Sequence, residues 1–113
     1  MSTLPPKVSE VWIYGPTIPG GSLRLDTPAW FAWLATPSAT SFSYPVLNRA
    51  RGYISGYLTV RKETRQRGGV YWSAYRRWHG RVRKIYLGQA ERVTLVRLQA
   101  AARALGERDE PQL

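Results

Sequence analysis

Cationic and aromatic side chains are concentrated in the middle of the sequence, between residues 61 and 84. These 24 residues hold nine Arg or Lys and a single acid, Glu63, and so carry +8 of the net charge of +10. Tyr71, Tyr75 and, just beyond, Tyr86 lie among the cations. Arginine makes bidentate contacts with phosphates and base edges, and tyrosine stacks on bases, so this composition favours nucleic-acid binding. The alternative is a solvated basic face, since 14 Arg against 3 Lys is also typical of a GC-rich genome.

Three strands and one helix are predicted to position these residues. Runs rich in Tyr, Val, Ile and Thr predict strands over 53–62, 70–78 and 81–87. His79 and Gly80 form a two-residue hairpin turn between the last two strands. Thr94 then caps a helix over 95–105, which Gly106 ends.

Strand alternation divides this sheet into two faces. With the turn at 79–80, Trp78 lies opposite Arg81 and Trp72 opposite Leu87. One face is apolar and is expected to pack against the helix; it carries Leu58, Val60, Val70, Trp72, Ala74, Ile85 and Leu87. The other, called the tyrosine face below, carries Tyr57, Thr59, Arg61, Tyr71, Ser73, Tyr75, Arg77, Lys84 and Tyr86. A purely solvated face rarely holds four tyrosines, so this face is expected to be covered or to bind a partner.

The tyrosine face is predicted to lie in the major groove of double-stranded DNA, which admits strands of this kind. Base or groove contact is expected from Arg61, Arg77 and Lys84. Backbone contact is expected from Arg65, Arg67, Arg81 and Arg83, the first two in a glycine-containing loop over 65–69. Near the hairpin tip, Arg76, Arg81 and Arg83 are expected to project beyond the helix as a basic edge. Tyr71, Tyr75 and Tyr86 complete the candidate site.

The N-terminal part of the chain is predicted to be largely irregular. Residues 1–26 hold four prolines and three glycines and are interpreted as an arm or loop with one short apolar piece. The Asp26-Thr27-Pro28 signal begins a short helix over 28–35, with a further short strand over 41–44 and a turn over 45–52. As an alternative to binding a partner, the tyrosine face could be covered in part by Trp30, Phe31 and Trp33 of that helix. The expected architecture is α+β: a three-stranded antiparallel sheet on a C-terminal helix, within one domain over 27–106 and followed by a tail over 107–113.

Several classes of protein are disfavoured by composition. Without cysteine, the chain has no disulfide, thiolate zinc site or cysteine nucleophile, and its one histidine, His79, is expected in a turn. The acids are scattered and no phosphate-binding loop of the Walker type is present, so we expect no enzyme, cofactor or metal. A recombinase-like role for Tyr75 or Tyr86 near Arg77 would need a larger catalytic cluster. The longest apolar stretch, 29–35, is too short for a membrane span, and no signal peptide is recognised, so a cytoplasmic bacterial or phage protein is expected.

Three stretches resemble a segment near the N-terminus of large MalT-type LuxR regulators. These are VRKETRQRGGVYWSAYRRW at 60–78, HGRVRKIYLG at 79–88 and VTLVRL at 93–98, with PAWFAWL at 28–34 and SFSY at 41–44 as a similar lead-in. The resemblance covers about residues 27–105. In outline the chain is also similar to the arm-binding sheet domains of tyrosine recombinases and the plant ethylene-response-factor domain, which bind DNA. The sequence departs from that family by ending at Leu113 with no ATPase or helix-turn-helix following; if it is the whole protein, it is expected to act alone, as an oligomer or with a partner.

The sequence therefore predicts a double-stranded DNA-binding protein, in transcription regulation or a mobile-element process. Two alternatives remain open. Tyr, Trp and Arg also dominate protein hot spots, so the same surface suits a protein-interaction module. Stacking of the three tyrosines on bases would instead suit RNA or single-stranded DNA.

Overall fold

The fold is built on one seven-stranded mixed sheet with two helices. The computed structural model describes residues 5–48 and 50–107. The strands are β1 (Lys7–Ser9), β2 (Trp12–Tyr14), β3 (Ser22–Arg24), β4 (Ser41–Asn48), β5 (Tyr53–Thr64), β6 (Val70–Trp78) and β7 (Arg81–Gly88), and the helices are α1 (Pro28–Leu34) and α2 (Leu95–Glu107). The strand order across the sheet is β3-β2-β1-β4-β5-β6-β7. The predicted three-stranded sheet is therefore wrong, because four further strands extend it on the β5 side.

Three of the additional strands come from the segment predicted to be an arm. β1 and β2 form an antiparallel pair in which Val8 faces Ile13, and both side chains are fully buried. β1 then pairs in parallel with β4 at Lys7 and Ser43, where the Ser43 N–H donates to the Pro6 carbonyl at 2.8 Å. Each strand spans only three residues, so the two-residue alternation that marks a strand is too short to stand out.

The strands β4 to β7 form an antiparallel meander. β4 continues through Pro45, where a turn was predicted, and reaches Asn48. Proline is tolerated there because β1 pairs with β4 only at Ser43 and leaves that edge of Pro45 without a strand partner. The rest of the predicted turn includes Arg49, which lies outside the described residues. Of the predicted tail over 107–113, Glu107 is the last residue of α2, so Gly106 does not end that helix as predicted, and residues 108–113 lie outside the described part of the chain.

The β6–β7 hairpin closes through the predicted turn. His79 and Gly80 have φ of 51° and 77°, the positive pair that a type I′ turn requires. Trp78 lies opposite Arg81 and Ala74 opposite Ile85, as the turn predicts. A register shift between Trp72 and Ser73 then places Trp72 opposite Gly88 and not Leu87. The predicted register is thus correct near the turn and wrong beyond the irregularity.

Both helices pack on the same face of the sheet. Trp30 of α1 stacks edge-on against Phe42 of β4, with ring centroids 5.4 Å apart, and its indole N–H donates to the Val93 carbonyl at 2.8 Å. Trp72 and Leu98 are fully buried in the same core. Helix α1 therefore covers the apolar face and not the tyrosine face, which overturns the alternative that its aromatic residues cover the tyrosines.

Local signals fix where the helices begin. The Thr27 hydroxyl caps α1 by accepting from the Trp30 N–H at 3.3 Å. Thr94 caps α2 as predicted, accepting from the Arg97 N–H at 3.3 Å. Neither helix, within the described part of the chain, is long and apolar enough to cross a membrane.

Candidate nucleic-acid interface

The face of the sheet opposite the helices, called the outer face below, is left open by both helices. It contains the whole predicted tyrosine face, from Tyr57 on β5 to Tyr86 on β7. The register adds residues from the N-terminal strands that the sequence did not assign to it. One row crosses six strands through Tyr14, Lys7, Ser43, Thr59, Tyr75 and Lys84. Trp12 and Arg24 pair with each other on the same face.

Several aromatic rings on the outer face are accessible. Tyr57 is 43% exposed, Tyr86 50% and Tyr14 49%, and Trp12 is 39% exposed. A single exposed ring is ordinary, but several exposed aromatic rings on one face are typical of an interaction surface. The sequence did not locate Trp12 and Tyr14 on this face, because the alternation of a three-residue strand is too short to stand out.

Cations lie over the tyrosine rings. The Lys7 Nζ is 4.7 Å from the centroid of the Tyr57 ring, and the Arg61 Cζ is 5.2 Å from that of Tyr75. Arg65 lies 5.1 Å from the Tyr71 ring. Each contact is weak at an exposed site, about 0.5–1 kcal/mol. Together they hold positive charge beside flat aromatic surfaces.

Glu63 lies at the centre of this cluster and engages three predicted contact residues. Its carboxylate accepts hydrogen bonds from the hydroxyls of Tyr71, at 3.0 Å, and Tyr75. The Lys84 Nζ lies 3.3 Å from the same carboxylate, in an ion pair whose lysine side chain is 44% exposed. The one acid of the basic window therefore orders the face from within and offsets part of its charge.

Ser73 is buried on the outer face, which is unusual for a position that points away from the core. It is fully buried between Arg61 on β5 and Tyr86 on β7, and its hydroxyl has no hydrogen-bond partner among the described residues. The long side chains around it therefore close over the sheet and form a continuous surface.

Four of the other predicted site residues are spread over different parts of the fold. Arg77 is exposed on the outer face opposite Val82, and Arg67 is exposed in the loop between β5 and β6. Arg81 is exposed beside the hairpin turn. Arg83 is half-buried and follows the helix side of the sheet, so it lies off the outer face.

Arg76 corrects the expectation of a basic edge that projects beyond the helix. It is only 6% exposed, and its Nη1 donates to the Leu105 carbonyl at 3.3 Å, near the end of α2. Arginine there satisfies one of the carbonyls that a helix end leaves without an intrahelical donor. Its role is therefore structural, although its neighbour Arg77 lies on the outer face.

Lys62 is another cation of the basic window that points to the helix side. Its Nζ donates to the Thr36 carbonyl at 2.8 Å and lies 5.4 Å from the centroid of the Trp72 ring. Burial lowers the pKa of Lys62 below its ordinary value. On the same side of the sheet, burial raises the pKa of Tyr44.

A groove of about 480 Å³ adjoins the outer face at the end opposite the hairpin turn. Tyr71 and Tyr86 line both surfaces, and Arg65, Arg92 and Arg97 contribute cations to the groove. The sequence prediction missed Arg92 and Arg97, because they fall outside the basic window and only the fold brings them beside it. No cluster of three or more His, Asp or Glu that could hold a metal ion occurs in residues 5–48 and 50–107.

Comparison of the chain with protein-family models, with curated proteins and with solved structures finds no match. The resemblance to MalT-type LuxR regulators stays a prediction that these comparisons do not test.

Proposed function

We propose that this protein binds single-stranded nucleic acid along the outer face of its sheet. The observation that carries the proposal is the combination, on one open face, of four accessible aromatic rings with cations beside them. Bases of a single strand stack on aromatic rings, and each stacked base contributes about 1–3 kcal/mol. The cations supply the sequence-independent attraction for the phosphates.

The width of the sheet favours a single strand over the interior of a duplex groove. Neighbouring strands lie about 4.8 Å apart, so seven of them span about 29 Å. The major groove of B-DNA is only about 12 Å wide and suits two strands. The prediction of double-stranded DNA binding assumed a sheet of three β-strands, and the seven-stranded sheet removes that geometric argument. Binding to the duplex is therefore one of the alternatives that the experiment below distinguishes.

The charge balance of the outer face supports the same proposal. Lys7, Arg24, Arg61 and Arg77 lie on it with no ion pair to a described carboxylate. Glu63 is the one acidic residue on the described strands of this face, and its carboxylate is already bonded to Tyr71, Tyr75 and Lys84. A bound strand would therefore meet positive charge at several places on the outer face, from Arg24 and Lys7 near one edge to Arg61 and Arg77 farther across.

Fluorescence anisotropy with a labelled oligonucleotide of about 12 nucleotides tests this proposal, with single-stranded DNA, single-stranded RNA and the matching duplex compared. We expect the single strands to bind more tightly, and the logarithm of affinity to fall linearly with that of salt concentration, by about 0.7 per phosphate contacted. Absence of binding at low salt, or a clear preference for the duplex, would overturn the proposal.

Matched tyrosine variants locate the surface. Tyr57→Leu and Tyr86→Leu remove rings from the outer face, and we expect each to weaken binding about tenfold. Tyr53→Leu is the control, since Tyr53 is equally exposed, at 49%, but lies at the β4–β5 turn. Equal effects from all three variants would indicate that the outer face is not the binding surface.

A second candidate function, docking of a second copy of this chain, is favoured by exposed aliphatic side chains near the two hairpin turns. Leu47, Ile54 and Val82 are 58%, 51% and 56% exposed, and Leu47 pairs with Ile54. Exposed aliphatic side chains add little to nucleic-acid binding and are typical of protein contacts. Light scattering after gel filtration tests self-association first: a mass above one chain that Leu47→Ser with Ile54→Ser returns to 12.9 kDa supports it, and a single-chain mass at all concentrations contradicts it.

A further inference from the structure

The groove beside the outer face brings together three arginines from separate elements. Arg65 lies in the loop after β5, Arg92 in the 3₁₀ turn Ala90–Arg92 and Arg97 in α2. Among the described residues that line the groove there is no Asp or Glu. Guanidinium groups that converge without a carboxylate create a positive potential, which an anion would offset.

Hydrogen bonds hold the Arg65 and Arg97 side chains in place, and a glycine leaves space for the Arg92 side chain. The Arg65 Nη2 donates to the Tyr86 hydroxyl at 3.4 Å, and the Arg97 Nη2 donates to the Leu87 carbonyl. A Cβ on Gly88 would lie 3.2 Å from the Cβ of Arg92, and Gly88 has a φ of +116°. Glycine at that position therefore lets the Arg92 side chain lie against the end of β7.

Most of the donors of these arginines are left for a ligand. A guanidinium carries five N–H donors. Within the described part of the chain, Arg65 and Arg97 each use one in a hydrogen bond, and the Arg92 side chain uses none. Arginine pairs with phosphate through parallel N–H···O bonds, so the groove offers the donor set that a phosphate needs.

We propose that the groove binds a phosphate monoester, either the terminal phosphate of a nucleic-acid strand or that of a free nucleotide. The first source rests on the proposed function, because the exposed ring of Tyr86 belongs to both surfaces and would stack the terminal base. A monoester carries up to two negative charges near neutral pH, whereas each internal phosphodiester carries one, so three arginines favour a strand end. The volume of about 480 Å³ lies within the range of small-molecule sites.

The experiment compares one internally labelled oligonucleotide with a 5′-phosphate, with a 3′-phosphate or with hydroxyls at both ends. We expect one phosphorylated form to bind about tenfold more tightly than the hydroxyl form, as charge-assisted hydrogen bonds suggest. In a second arm, a nucleoside monophosphate and its parent nucleoside are titrated separately against labelled protein by nuclear magnetic resonance. Saturating shifts at Arg92 and Tyr86 with the monophosphate alone support the free nucleotide as ligand.

Arg92→Ala tests the residue without disturbing a bond that holds the fold. It should abolish the preference for the phosphorylated end and leave the affinity of the hydroxyl form within about twofold. Arg103→Ala removes the same charge from an exposed position of α2 outside the groove and should keep the preference. Arg92→Lys retains a point charge and should restore part of it.

The outcomes separate this proposal from the proposed function. If no oligonucleotide binds, the proposed function is wrong, and the monophosphate titration alone determines whether the groove binds a phosphate monoester. If strands bind with no end preference and the monophosphate gives no more response than the nucleoside, the groove proposal is overturned and the outer face stands. An end preference that survives Arg92→Ala also overturns it.

Discussion

Asp26 and Leu95 are joined by a hydrogen bond across 69 positions of the chain: the Leu95 N–H donates to the Asp26 Oδ1 at 2.9 Å. Asp26 belongs to the sequence signal that begins the adjacent helix α1, but its carboxylate accepts a hydrogen bond from the first turn of α2. A negative charge at that position also interacts favourably with the positive end of the helix dipole. The loop before α1 therefore fixes the start of the C-terminal helix.

Replacing Asp26 should destabilise the protein through α2. We expect Asp26→Ala to lower the free energy of unfolding by about 1 kcal/mol, the usual contribution of a capping side chain, with some addition because Asp26 has a φ of +62°. Asp26→Asn keeps an acceptor and tolerates that backbone conformation, so it should cost less than half as much. Urea denaturation measures both, and equal losses would contradict the capping role.

Gly106 is required for close packing of α2 on β4. A Cβ at this position would lie 2.8 Å from the Cγ1 of Val46, a stiff β-branched side chain. We expect Gly106→Ala to lower the free energy of unfolding by about 1–3 kcal/mol despite the better helix propensity of alanine. Val46→Ala should rescue part of this loss in the double variant. If the two single losses of stability simply add in the double variant, the contact between positions 106 and 46 does not limit the packing.

Arg76 and Arg77 are neighbours with opposite expected phenotypes. Arg76→Ala removes the donor to the buried Leu105 carbonyl and leaves a cavity, so it should lower the free energy of unfolding by about 2–3 kcal/mol. Arg77→Ala should change stability by less than about 0.5 kcal/mol and weaken nucleic-acid binding. Thermal melts and anisotropy on the same two preparations measure this. A large loss of stability in the Arg77 variant would mean that the outer face is structural at that position.

Neutralising Glu63 should strengthen binding. The Tyr71 and Tyr75 hydroxyls donate to different oxygens of Glu63, so Glu63→Gln keeps one acceptor oxygen, and its NH2 group can donate to the other hydroxyl. The change also removes the ionic partner of Lys84, which becomes available to a phosphate. We expect affinity for single strands to rise about threefold and the salt dependence to steepen. Glu10→Gln makes the same charge change in the β1–β2 turn and should have a smaller effect. Weaker binding by the Glu63 variant would indicate that the carboxylate is needed to shape the face.

The buried phenol of Tyr44 should make the protein sensitive to alkali. Its pKa is raised in the folded state, so the folded protein binds this proton more tightly than the unfolded chain does. The stabilising contribution is complete below the ordinary tyrosine value of about 10 and is lost as the pH rises through the folded pKa. Tyr44→Phe should therefore show a shallower fall of unfolding free energy above pH ~10, measured by denaturation at several pH values. Parallel curves for the two proteins would contradict this.

The sequence was informative where elements are long and locally specified. β6 begins and ends as predicted, and the turn at His79 and Gly80 sets the register of nearly the whole hairpin, because these signals act between near neighbours. The apolar pattern at Leu58, Val60 and Trp72 correctly identified the core side of the sheet.

Long-range pairing escaped the sequence reasoning. Strand β1 joins the β4–β7 part of the sheet only through its pairing with β4, which lies far along the chain, and a run of three residues is too short for its alternation to stand out. The sequence reasoning also missed the burial of Arg76. Alternation assigns Arg76 to the helix side and Arg77 to the outer face, but it does not show how far α2 extends over the sheet toward the hairpin turn. Arg92 and Arg97 line the groove beside the outer face only because the fold brings them there.

The parallel pairing of Lys7 with Ser43 has a consequence for the order of assembly. It closes a loop of roughly 35 residues, whereas each turn of the β4–β7 meander joins sequence neighbours, so the meander meets a smaller entropic cost of closure. We therefore expect the meander to form first and β1–β3 to dock onto it afterwards. Tyr14 and Lys7 would then belong to a separately opening unit, and amide hydrogens of β1–β3 should exchange faster than those of β5 and β6. The outer face would be completed last and loosened first.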